Sequence, residues 1–253
     1  MTMRSSFRKF IRTDFEPEIL PIIPVRAKLK PCSALSPEHL GRIPGSYLAG
    51  TYEWTALAGW LTHDADSLDL ERWDSWQTPE IPVPVGLNTH RFNAFDIYSE
   101  SAAIADALKL LITMCIGASA AVRLRHSSFR RALFYEHDQS TALIRKFQLA
   151  FRDSGGHQHA VEVLGAGYQA VIEGPHASGA MHYWRDGIGL IEGREKLGAN
   201  KITGEMVVAT MRVIGDWVDQ AAGLDKVKLT LPTGSDRKAP WGARTIPTQT
   251  GRQ

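Results

Sequence analysis

Two long stretches of the chain repeat apolar residues every three or four positions. Between Ser99 and Gly117, Ile104, Ala107, Leu108, Leu111, Ile112 and Cys115 recur at i, i+3, i+4 spacing and predict a helix. Val207, Met211, Ile214 and Val218 form the same stripe in a second helix over Thr203–Gly223, with Gly223 as its stop. A shorter helix is expected after Ser67, its N-cap, carrying Leu68, Glu71, Trp73 and Trp76. Elsewhere the period is two. Val83–Leu87 and Asn93–Tyr98 read as strands around the polar turn Asn88-Thr89-His90. Val122–Arg125, Ala132–Tyr135, Phe147–Phe151, Val161–Leu164, Tyr168–Ile172 and Val227–Leu231 continue the pattern, with Gly155-Gly156 turning one strand into the next. The prolines in Ile19–Val25 restrict that segment to an edge strand or extended chain, and 40–49 reads as loop, broken by Gly41, Pro44 and Gly45.

Strands and helices that do not alternate as regular βαβ units predict an α+β domain. Its bounds are set at 19–231, after a basic segment, 1–18, and before a Pro-, Gly-, Thr- and Arg-rich tail, 232–253, expected to be disordered. The 253 residues suffice for one large domain or two lobes. The net charge of +2 does not by itself announce a polyanion partner, so any binding of one must come from clustered charge. The two cysteines, Cys32 and Cys115, make neither a disulfide framework nor a zinc pattern, and Cys115 reads as a small core residue. With no secretory signal and no apolar run of about 20 residues, the chain is expected to be soluble and cytoplasmic, without membrane contact.

Several polar residues interrupt this pattern. Asp96 ends an apolar strand before a helix start, where a carboxylate can hold a hard divalent cation or simply flank the helix. Glu162 shares its strand face with Leu164, opposite Val161 and Val163, and faces solvent or a polar cleft. A second acid beside Asp96 would complete the two-acid arrangement that nucleotidyl transfer needs. Arg123, Arg125, His126, Arg130 and Arg131 lie close together, and guanidinium forks suit phosphate oxygens; the alternative is a solvated strand face. Gly174-Pro-His176-Ala-Ser-Gly, followed by Tyr183-Trp184, sets an imidazole and backbone N–H groups on a tight loop that can hold an anion. Most of the seven tryptophans, Trp54, Trp60, Trp73 and Trp76 among them, are expected in the core.

Taken in order, these segments resemble phage- and plasmid-type bifunctional primase-polymerase domains of the archaeo-eukaryotic primase superfamily. The resemblance rests on Pro21–Leu29, Gly41-Arg-Ile-Pro-Gly45, the spaced tryptophans, Val85-Gly-Leu-Asn with Phe95-Asp96-Ile97, and Val161-Glu162 to Gln169 followed by Gly174-Pro-His176 and Tyr183-Trp184. It covers roughly 19–190. It implies an RRM-like primase-polymerase catalytic core with a flanking N-terminal α/β lobe, and template-directed DNA primase and polymerase activity by a two-metal mechanism in replicating a phage, plasmid or mobile element. Magnesium or manganese, nucleoside triphosphates, a single-stranded DNA template and a separate helicase are the implied cofactors and partners. Asp96 matches the first metal motif and Glu162 the acid of the third. Arg130 or Arg131 falls near the basic position between them, with Arg123 and Arg125 as further nucleotide ligands. Gln169 and His176 line the nucleotide pocket, His176 also as a catalytic residue. One position departs from the family: the first motif is normally Asp-x-Asp or Asp-x-Glu, and here it is Asp96-Ile97-Tyr98. A phenol with a reference pKa of about 10 is a poor magnesium ligand. The alternative is therefore a catalytically degenerate primase-like module that binds single-stranded nucleic acid or nucleotide.

Overall fold

A computed structural model of the chain describes residues 6–31 and 33–230, so the expected tail lies outside the described residues. In chain order the strands are β1 (Ile19–Pro21), β2 (Gly45–Leu48), β3 (Glu53–Ala56), β4 (Val85–Asn88), β5 (Phe92–Tyr98), β6 (Ala121–Arg125), β7 (Arg131–Glu136), β8 (Lys146–Asp153), β9 (Gln158–Leu164), β10 (Gln169–Pro175), β11 (Met181–Trp184) and β12 (Leu224–Thr230). The helices are α1 (Ser67–Ser75), α2 (Ala102–Ile116), α3 (Arg194–Ala199) and α4 (Gly204–Gln220). Ten strands form one sheet in the order β1-β4-β10-β11-β6-β7-β5-β9-β8-β12, and β2-β3 form a separate hairpin. The class is α+β, dominated by an antiparallel sheet.

The helix starts follow from local hydrogen bonding. Ser101 Oγ accepts the Ile104 N–H and Thr203 Oγ1 the Met206 N–H, fixing the first turns of α2 and α4. In α1 the cap lies one residue before the expected Ser67: Asp66 accepts the Asp69 N–H. A carboxylate at that position also complements the partial positive charge of the helix start.

From β11 to β12 the sheet is a platform with two unlike faces. Phe95, Ile97, Leu133, Phe147, Leu149, Val161 and Val163 alternate onto one face and are buried against α2 and α4. The other face carries Ala94, Ala121, Ala132 and Phe134, which join a second core with Ile19, Val85, Leu87, Ala170 and Ile172 from β1, β4 and β10. β10 pairs with β11 only at Gly174 and Pro175, so the group β1-β4-β10 leaves the platform there and packs on this second face. It covers one end and leaves the other end for polar groups.

Three further expectations are corrected, and one element was missed. The basic segment before residue 19 belongs to the core: Phe7, Phe10 and Phe15 are buried, and Phe7 meets Trp73 edge-on at 5.8 Å, because its aromatics outweigh its charges. Residues 40–49 contain strand β2, since the breakers Gly41 and Pro44 precede it and Tyr47 packs on Trp54. Cys115 is exposed, because the α2 stripe that faces the sheet is Ala105, Leu108, Ile112 and Ile116. Helix α3 carries no long apolar stripe and was not foreseen. Trp54, Trp60 and Trp73 are buried, as expected. No helix among the described residues is long and apolar enough to cross a membrane.

Candidate active site

The strand registers align one row of side chains across the open platform face. Trp184 opposes Arg123, Arg123 opposes Ala132, Ala132 opposes Asp96, Asp96 opposes Glu162, and Glu162 opposes Gln148. Directly opposed residues of antiparallel strands share a face, with Cβ atoms about 5 Å apart. Asp96 and Glu162, 66 positions apart in the chain, are thus nearest neighbours. Two carboxylates in that relation repel each other. A cation offsets each of them: Arg123 Nη2 lies 3.0 Å from Asp96 Oδ1, and Lys146 Nζ lies 3.2 Å from Glu162 Oε2. Arg123 reaches Asp96 over Ala132, whose methyl is the only side chain between them in the row. The other arm of Arg123 donates to the Val171 carbonyl of β10, tying the platform to the strands packed above it.

A second row runs two residues further along. His182 opposes Arg125, and Tyr98 opposes Ala160, which opposes Ala150. Arg130, just ahead of β7, lies over the Tyr98 ring with its guanidinium carbon 3.1 Å from the centroid. The intervening turn holds Ser127 at φ 55°, and Ser128 Oγ receives both Arg125 Nη2 at 3.1 Å and the Arg130 N–H at 3.2 Å. This turn folds the arginines of one short segment onto one surface. Burial, then the neighbouring Arg130, weakens the hold of Arg125 on its proton.

His176 closes the site from the β10–β11 loop. Its Nδ1 accepts the Ser178 N–H at 3.1 Å, which places the proton of the neutral ring on Nε2. Arg125 Nη1 lies 3.4 Å from Nδ1 and 3.3 Å from Nε2, so it sits over the ring and not in its plane. Burial and then Arg125, Arg42, Arg123 and Arg130 pull His176 down to about 4, and it is neutral at neutral pH. His182, 5.5 Å away centroid to centroid, is held far below the ordinary imidazole range by burial and then Arg123. The Gly41–Gly45 segment abuts this loop. Gly41 has φ 70°, and a Cβ there would come within 2.9 Å of Val25 and 3.1 Å of the Ala177 nitrogen, so both backbone conformation and close approach require glycine.

Asp96, Glu162, Arg123, Arg125, Arg130 and His176 therefore converge. Gln169 lies at the margin, its amide donating to the Arg42 carbonyl. Arg131 does not join them: alternation turns it to the helix face, where Nη1 meets Asp106 of α2 at 2.7 Å. Asp96 does not cap α2, a role that Ser101 fills. The site also contains Lys146 and His182, which were not foreseen and could have been found by pairing strands in register. Ser128 and Glu100 join it too, Glu100 through the bend of the chain that follows β5.

Among the described residues, ten buried side-chain polar atoms lack a hydrogen-bond partner, and five belong here: the Nε atoms of Arg123, Arg125 and Arg130, Gln169 Oε1 and His182 Nδ1. Unmet buried polar groups each cost about 1–3 kcal/mol where neither water nor ligand reaches them, and half of the ten gather here. Asp96 and Glu162 are hard oxygen donors of the kind magnesium or manganese takes, and they occupy directly opposed positions on β5 and β9, so their chemistry suits a divalent ion. No group of three or more His, Cys, Asp or Glu side chains suited to a metal occurs among the described residues. A cleft of about 290 Å³ beside α2, floored by Val122 and Leu133, lies on the opposite face and contains neither acid. No family model, no curated protein and no solved structure matches the chain.

Proposed function

We propose that this protein is a metal-dependent primase-polymerase whose RRM-like core is the platform from β11 to β12 with α2 and α4 behind it. The observation that carries the reading is the pairing of Asp96 with Glu162 beside an arginine cluster with unmet donors. Asp96 and Glu162 would hold a magnesium or manganese ion, which activates the attacking hydroxyl and neutralises the departing pyrophosphate. Arg123 is the cation nearest the acids and suits the phosphate next to the bond being made. Arg125 and Arg130 lie further along the strands and suit the distal phosphates, gripping them bidentately. Neutral His176 offers its Nε2 proton to a phosphate oxygen without adding charge. Single-stranded DNA would lie along the open platform, with a separate helicase unwinding it, in the cytoplasm of the host of a phage, plasmid or mobile element.

The test is incorporation of labelled deoxynucleoside triphosphate on single-stranded DNA, primed and unprimed, in each metal. Product is expected, strongest in manganese, and Asp96→Asn should abolish it while the circular dichroism spectrum is kept. Absence of product in both metals sinks the enzyme reading. A second reading has its own support in Tyr98, which is the third position of the metal motif and serves instead as the face on which Arg130 rests. In that reading the domain binds nucleotide or single-stranded nucleic acid without chemistry. Salt-sensitive binding in the absence of incorporation would favour it, with affinity falling steeply from 50 to 200 mM salt.

A further inference from the structure

Glu100 is the anion on the Arg125–Arg130 pair among the described residues. Its Oε1 lies 2.7 Å from Arg130 Nε and 3.7 Å from Arg125 Nη2, and Oε2 lies 3.3 Å from Ser128 Oγ. The contact is electrostatic and poorly aligned. Arg130 Nε has the carboxylate within ion-pair distance, yet its N–H finds no hydrogen-bond acceptor, and Arg125 Nε is likewise unmet. The backbone beneath is held firmly. Ser99, fully buried, receives the Ser101 N–H on its hydroxyl, and Ser101 caps α2. The Glu100 side chain itself is 56% exposed. Asp96 on Arg123 differs: that carboxylate is less exposed, and the guanidinium is also anchored on the Val171 carbonyl.

We propose that Glu100 is a selectivity residue, a built-in stand-in for the distal phosphates of a nucleotide. The inference rests on the nucleotide reading above. Its carboxylate lies against the two guanidiniums assigned to those phosphates, satisfies them incompletely, and is itself 56% exposed, so water can take it up when a ligand replaces it. A ligand must displace it to engage Arg125 and Arg130. A polyphosphate does so, because it supplies several oxygens to donors that one misaligned carboxylate leaves unmet. A nucleoside gains nothing from the exchange. Glu100 therefore lowers affinity for every ligand that reaches the pair and leaves the rest of the site unaffected.

Binding of inorganic tripolyphosphate, a nucleoside triphosphate and the bare nucleoside should be measured calorimetrically for the wild type, Glu100→Gln and Asp106→Asn. Asp106→Asn removes one negative charge from the helix face and controls for net charge. The expected result is that Glu100→Gln binds both polyphosphates about fivefold tighter, corresponding to loss of one ion pair of about 1 kcal/mol. Nucleoside binding should be unchanged, and Asp106→Asn should stay within about twofold of the wild type. Equal or weaker polyphosphate binding by Glu100→Gln, with the wild type binding, overturns the inference and leaves the nucleotide reading standing. Equal tightening in both variants also overturns it, because charge alone would then account for the gain. If all three folded proteins fail to bind polyphosphate, the nucleotide reading falls and takes the inference with it.

Discussion

Arg130 and Arg131 are neighbours in the chain and lie on opposite faces of the platform. Arg131 goes to the helix face and closes an ordinary pair with Asp106 at the edge of α2. Arg130 goes to the open face, where it covers Tyr98 and keeps an unmet N–H. The same division runs along β5: Phe95 and Ile97 are fully buried under the helices, whereas Asp96 and Tyr98 face outward. On the helix side, the one unmet buried side-chain atom among the described residues, His159 Nε2, still has Asp153 at 3.3 Å. Alternate strand positions thus go to the helix-side core and to a second face that is part apolar core and part polar cluster. Strand alternation lets one short segment serve both, because a change on one face leaves the other face's packing in place.

The largest expected effect tests the helix face. Leu133→Ala should lower stability by about 3 kcal/mol, read as a drop in the urea midpoint, because Leu133 is fully buried and its removal leaves a cavity. Asp96→Asn should stay within about 1–2 kcal/mol of the wild type, since the amide oxygen still accepts from Arg123. If Asp96→Asn destabilises as much as Leu133→Ala, the two faces are not separable in the way described.

Ala132→Leu comes next, because it strikes the open face where packing and chemistry meet. The added atoms stand between Arg123 and Asp96 in the row, and overpacking costs about 1–3 kcal/mol. Triphosphate affinity should fall at least about tenfold, the equivalent of one charge-assisted hydrogen bond. Unchanged affinity would show that the Arg123–Asp96 contact does not organise the site.

Arg130→Met against Arg131→Met is the most direct test of the comparison. The first should weaken triphosphate binding by about tenfold. The second should stay within about twofold for binding and about 1 kcal/mol for stability, because methionine keeps the buried apolar stem and the exposed Asp106 stays solvated. A reversal of the two would assign the nucleotide to the helix face.

The smallest effect is a proton linkage. Burial and then the arginines hold His176 at about 4, and a bound polyphosphate opposes the arginine field and raises it. Between about pH 4 and the ordinary imidazole value near 6.5, the complex then holds more protons than the free protein, so affinity rises as pH falls. Calorimetry at pH 5 in buffers of different ionisation heat should detect proton uptake on binding, and less of it in His176→Asn. Equal uptake in the two proteins would assign the linkage to the ligand's own phosphates. The free protein shows the same depression with the opposite consequence. Its unfolded chain binds the extra proton over this window, so stability falls as pH drops from about 6.5 to 4.

Much of this architecture was legible in the chain. Periodicity located α2, α4 and most strands to within a few residues, because burying one face of a helix or strand forces the apolar repeat. It also assigned Arg123 and Arg125 to one face, and Glu162 and Leu164 together, since alternation is local. Where the sequence was misleading, several residues competed for one place. Ser67 lost the cap to Asp66, and the stripe that faces the sheet left Cys115 outside. The basic start of the chain was drawn into the core by three phenylalanines whose burial outweighs the cost of ordering a charged segment.

By itself the sequence determined the α+β class, the two helical stripes and the kinds of side chain available for chemistry, because these follow from local spacing. It could not decide between Arg130 and Arg131, since that depends on which residue of β7 opposes Asp96. It could not make Asp96 and Glu162 neighbours, or set Glu100 against Arg125 and Arg130. Those contacts depend on strand order, on register and on a bend fixed by Ser99 and Ser101. All three are settled by packing between segments distant in the chain, and only the tertiary structure holds that information.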